Sequence, residues 1–141
     1  MASELSNHYK HELHAGLIDF DGHTFKIALM ATGFTFDKDA HAVWANVSAS
    51  ELSNGNGYTT GGATLANVAI SEDDTNDRSD VTWDNAQWTA SGGSIGPSPG
   101  AIIYDDTHAS DCIIGFIDFT SDQTATDGGT FTISSPTVRL T

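Results

Sequence analysis

Histidines, clustered carboxylates and a lone cysteine are the side chains here that could do chemistry. His8, His11 and His14 stand at i, i+3 and i+6. On a helix such residues fall near one another, which invites a metal-ligand reading. A metal centre needs a complete ligand set, ordered by hydrogen bonds behind it. No carboxylate-plus-histidine set of that kind is evident in the sequence, so no metal and no cofactor are expected. The plainer reading is a polar helix face or a terminal arm. Residues 72–80 are the densest acidic run. Asp73, Asp74, Asn76 and Asp77 superficially resemble a calcium loop. The EF-hand pattern also requires a Gly at its sixth position, a Glu at its twelfth and flanking helices. Those are missing, and a solvated hairpin loop is expected instead. Asp37 and Asp39 form a second, weaker cation motif.

Catalytic sets are equally hard to find. Cys112 and His108 are close in sequence. Cys112 opens an apolar run, however, where a thiol is usually inert. There is no Gly-x-Ser-x-Gly elbow. The glycines of 91–100 lack the Gly-Lys-Ser/Thr ending of a phosphate loop. No pair among the carboxylates is marked out for glycosidase chemistry. The chain is therefore expected not to be an enzyme. Trp44, Tyr58, Trp83 and Trp88 are the candidate interface anchors, since large rings with a polar edge serve both cores and interfaces.

The bulk properties narrow the partners. The 141 residues suggest one domain. Nineteen acidic residues against five basic ones give a formal charge of −14. That balance disfavours nucleic acid and anionic membranes, and favours solubility and a basic partner. A single cysteine excludes an internal disulfide and suits a reducing compartment. The start has neither a basic nor an apolar leader segment, so no signal peptide is expected.

These residues must be held by a β-rich scaffold. The apolar runs 101–104 and 112–119 read as two neighbouring antiparallel strands at the centre of a sheet. The loop between them, with Asp105, Asp106, His108 and Asp111, reads as hydrophilic. Asp105→Ala is accordingly expected to leave folding almost untouched. Residues 17–20 and 24–30 read as a hairpin around Asp21-Gly22. Residues 64–71 read as a strand with Leu65, Val68 and Ile70 inward, returning through 81–84. Residues 130–134 alternate cleanly. Ser48-Ala49-Ser50-Glu51 fits a capping box before a short helix. Residues 91–100 and 122–129 read as loops. Residues 1–16 form a terminal arm or a short helix with Leu5, Tyr9 and Leu13 on one face. Residues 17–141 form a single-domain, all-β, jelly-roll-type antiparallel β-sandwich with short helical segments.

Several stretches carry a resemblance. Gly55-Asn56-Gly57-Tyr58, the run 88–97 from Trp88 through Gly92-Gly93-Ser94-Ile95-Gly96-Pro97, and Ala101-Ile102-Ile103-Tyr104-Asp105-Asp106-Thr107 resemble small virion proteins of tailed bacteriophages. The segments 18–30 and Gly115-Phe116-Ile117-Asp118-Phe119 do so too. Within that group the chain is similar to capsid cementing (decoration) proteins of short-tailed phages. The resemblance implies a jelly-roll homodimer, made in the bacterial cytoplasm. It would bind the outer face of the capsid and clamp neighbouring major capsid protein subunits. It implies no catalytic or cofactor residues. The alternative is a carbohydrate- or receptor-binding module of a phage tail or fibre, motivated by Trp83, Trp88 and the Gly-rich loop.

Overall fold

A computed structural model describes every residue from Met1 to Thr141. The chain is mostly strand, paired antiparallel throughout. In order it forms β1 (Glu4–Leu5), α1 (Asn7–His14), β2 (Phe25–Leu29), β3 (Ala63–Thr64), β4 (Ala69–Asp73), β5 (Arg78–Thr82), β6 (Ala86–Thr89), β7 (Ile95–Asp105), β8 (Cys112–Ala125), β9 (Thr130–Ile133) and β10 (Thr137–Leu140). Two 3-10 turns, Trp44–Asn46 and Ser48–Ser50, interrupt the loop after β2. The main sheet has the order β1-β8-β7-β2-β3, and two smaller sheets, β10-β5-β4 and β6-β9, make the second layer. The antiparallel sheets and short helical segments make the all-β sandwich that the sequence leads one to expect. No helix is long and apolar enough to cross a membrane.

The central strands are apolar because both of their faces are covered. Phe25, Ile27, Ala101, Ile103 and Ile114 pack against Val81, Trp83, Trp88, Phe131 and Val138 of the second layer. On the opposite face Ala28, Ile102, Tyr104, Ile113 and Phe116 pack against Phe36 and Val47, with Phe34 and Trp44 at the margin. The two central strands are neighbours, as their composition suggests. Ile103 pairs with Gly115 and Tyr104 with Ile113, so Ile114 is an extra residue in β8. This bulge reverses the alternation of β8. It sends Ile114 to one core and Phe116 to the other. A Cβ on Gly115 would lie 2.5 Å from the Glu4 carbonyl oxygen, so glycine lets β1 close over the bulge.

Some local expectations are corrected. Residues 17–20 form no strand. Asp19 Oδ1 instead accepts the N–H groups of Asp21 and Gly22 in a local turn. β2 takes its partners from β7 and β3. The segment 64–71 is split between β3 and β4, and Ile70 points to solvent at 52% exposure. The inward positions of the small sheet are filled by Val81 and Val138. Residues 95–100 and 122–125, expected as loops, extend β7 and β8. Register shifts around Ser98 leave the ladder irregular there, which accommodates Pro97 and Pro99. Ser48 caps nothing. The Glu51 carboxylate turns instead to the Tyr58 hydroxyl and the Gly61 N–H, at 2.8 and 2.6 Å.

The acidic run 72–80 is a hairpin joining β4 and β5. Asp73 binds the Asn76 side chain at 2.7 Å and faces Arg78 at 3.1 Å. Arg139 on β10 grips Asp80 with two bonds, of 2.6 and 2.7 Å. The hydrogen bond from Arg139 holds the Asp80 carboxyl below its ordinary value of 3.8. The stability it contributes is present above that value and lost as pH falls through the lower folded one. Wild-type stability should therefore drop on acidification below about pH 4, and Asp80→Asn should drop less across the same window. Urea midpoints measured as a function of pH check this. In the core, Ile114→Asp and Phe116→Asp should each abolish the cooperative thermal transition, because an unpaired buried charge is costly.

Candidate functional site

The ring candidates separate by burial. Trp83, Trp88 and Tyr58 are core residues. Trp83 packs on Phe25 and Phe20, and Trp88 on Phe131 and Tyr58. The Tyr58 hydroxyl accepts the Leu29 N–H at 3.0 Å while donating to Glu51. Burial, reinforced by Glu51, pushes its pKa upward. These three rings hold the fold together and cannot face a partner. Trp44 is the exception. It is half-buried, stacked on Tyr104 with centroids 4.5 Å apart, and flanked by exposed Ala45 and Asn46.

The cation motifs also resolve. Asp37 Oδ1 accepts the backbone N–H groups of Asp39 and Ala40, at 2.9 and 3.2 Å. The Asp39 carboxylate takes the side chain of Asn7. Asp73 and Asn76 satisfy one another within the hairpin turn. Cys112 is fully buried, and burial pushes its thiol up to about 12. It stays protonated, with its sulfur directed to the Ile113 carbonyl.

The chemically concentrated spot lies between α1 and the β7–β8 loop. Ser6 begins the helix, and Gly16, at φ 74°, follows its end. Tyr9 is fully buried and fixes the rotation of α1 against the sheet, with Leu5 and Leu13 beside it. That rotation brings His8, His11 and Glu12 to one patch, their ligating atoms within 4.8 Å of one another. Glu12 Oε1 lies 2.7 Å from His11 Nδ1 and 4.0 Å from His8 Nδ1. Its other oxygen lies 3.0 Å from His108 Nε2. His14 is exposed and takes no part. Glu12 and His108, and not His14, complete the patch with His8 and His11. Glu12 is the carboxylate that the sequence reading passed over. His108 comes from 96 positions away, and nothing local marks it.

His108 is placed by Asp105, which is fully buried. Asp105 Oδ1 accepts the N–H groups of Thr107 and His108, at 3.0 and 3.1 Å. Its Oδ2 bonds His23 Nδ1 at 2.6 Å. The expectation of a loop acid that can be removed freely is therefore overturned. Around Glu12, the hydrogen bonds from His11 and then His108 hold the carboxyl below its ordinary value, so it is ionised at neutral pH.

Comparison of the chain with protein-family models, curated proteins and solved structures finds no match. Its chemistry must be read from its own residues.

Asp105→Ala should cost about 3 kcal/mol of unfolding free energy, since it strands buried donors. Asp105→Asn should recover part of that loss. Urea denaturation followed by tryptophan fluorescence measures both.

Proposed function

We propose that this protein is a structural virion component that binds the outer surface of a tailed-phage head. There it strengthens contacts between major capsid protein subunits, as a homodimer and without catalysis. One observation supports this most: the charge surplus faces outward on a stiff sandwich. Of the five cationic side chains, Lys26, Arg78 and Arg139 are already paired with Asp106, Asp73 and Asp80 of the same chain. Most remaining carboxylates have no cation of their own and can meet a basic partner surface. The resemblance to phage cementing proteins supports the same reading. Much of it lies in the strands β2, β7 and β8, which form the rigid centre. Binding only to the assembled shell stabilises that shell by mass action, and many symmetric copies add avidity.

The sugar-binding alternative draws less support. Trp83 and Trp88 face the interior, so neither offers a ring face for stacking. Trp44 remains the candidate anchor for a capsid contact.

The test is addition of purified protein to undecorated heads of the source phage, followed by sedimentation and heating. The protein should co-sediment, raise the temperature of head disruption and bind less as salt rises. Trp44→Ala should weaken binding by about tenfold or more. Absence of binding at low salt, with a glycan array scoring positive, would replace this reading with the receptor-binding one.

A further inference from the structure

We propose that His8, His11 and Glu12 bind a divalent transition metal of the zinc class, with His108 bracing the carboxylate from behind. This site is independent of the head-binding reading. Its ligands sit at i, i+3 and i+4 of one helix, a spacing that stacks them on one face. Two imidazole nitrogens and one carboxylate oxygen match three-ligand zinc sites that keep a fourth position open. Nitrogen donors select zinc, cobalt, nickel or copper over calcium and magnesium, which prefer oxygen.

The distances fit. Ligand atoms about 2.1 Å from a tetrahedral zinc lie about 3.4 Å from one another. The observed separations from Glu12 Oε1, 2.7 Å to His11 and 4.0 Å to His8, bracket that figure. Small side-chain rotations would equalise them. The His11 side chain is 75% exposed and that of Glu12 only 8%. The open position therefore faces solvent while the carboxylate stays anchored.

The charge also fits. The nearly buried Glu12 pairs with no lysine or arginine, and only imidazoles surround it. A divalent cation would supply the missing positive charge.

The hydrogen bonds give His108 a separate role. Its Nδ1 accepts the Ser110 N–H at 3.2 Å, so in the neutral ring the proton sits on Nε2. That N–H donates to Glu12 Oε2. His108 is therefore a donor behind the ligand, the position in which an outer partner orients a metal-binding carboxylate. His8 and His11 need only carry their protons on Nε2 to present a lone pair at Nδ1.

The experiment is calorimetric titration of the untagged protein with zinc chloride at neutral pH. Cobalt absorption serves as a second readout of nitrogen and oxygen ligation. One zinc per chain should bind, and the thermal midpoint should rise with zinc concentration. His8→Ala and His11→Ala should each weaken binding by more than about tenfold. His108→Ala should weaken it by about 10- to 100-fold, and His14→Ala should leave it unchanged. His11 is exposed, so its removal leaves folding intact and keeps the test decisive. Absence of binding at about 100 µM zinc overturns the proposal. Equal affinity in the His8→Ala/His11→Ala double variant, or an equal loss in His14→Ala, does so too.

Discussion

The structure depends on one constraint: its central strands are buried on both faces, yet the chain has only short elements to cover them. β2, β7 and β8 direct side chains both into the small sheets and under the loop of residues 31–52. A sandwich with one wet face would show clean alternation along each strand. Here Ile102, Ile103, Ile113 and Ile114 follow in pairs because each neighbour enters a different core. The bulge at Ile114 serves the same constraint. The extra residue adds Ile114 to the first core, and Phe116 and Ile117 beyond it enter opposite cores.

The cover on the second face is mostly irregular backbone, so it must be tied down by side chains. Asn46 Oδ1 accepts the N–H groups of Ala42 and Val43, at 3.1 and 3.0 Å. Asp37 does the same for its own turn. Glu51, Tyr58 and Tyr104 lock the stretch that follows, the last by donating to the Gly61 carbonyl at 2.7 Å. Acids and aromatics that look free in the sequence are thus taken up by loop closure. This explains why their number is a poor guide to how many are available for a ligand.

What was legible in the sequence divides along the same line. The all-β class and the central pair could be read because burial writes itself into local composition. The strand ends could not. Residues 95–100 and 120–125 extend the ladder with only Ile95 and Ala125 as apolar core contacts, and otherwise carry Gly, Ser, Thr and Pro like any loop. Asp21-Gly22 did mark a turn, but the pairing partner of β2 was decided by distant strands. An apolar residue in a strand reads as inward, but Ile70 is exposed and the small sheet buries Val81 and Val138 instead. Trp83 and Trp88 could not be told from interface anchors, since both roles want the same ring. Within the candidate site, His8 and His11 were visible. Glu12 was in plain sight but unweighted, and the contribution of His108 depends on a turn made by Asp105.

The histidine cluster also answers a structural question. An eight-residue helix is marginal in isolation, so α1 must be held by tertiary contacts. Tyr9 supplies apolar burial, although its hydroxyl finds no partner. Burial there pushes the phenol up to about 12 and keeps it neutral. The Ser6 hydroxyl bonds the His41 carbonyl at 3.2 Å, and Glu12 reaches His108. The Glu12–His108 bond is the side-chain link from the helix to the β7–β8 loop, across the rim of the main sheet. A metal on His8, His11 and Glu12 would tighten that link by ordering the carboxylate from both sides. Helix anchoring and metal affinity would then share one residue, so each would strengthen the other.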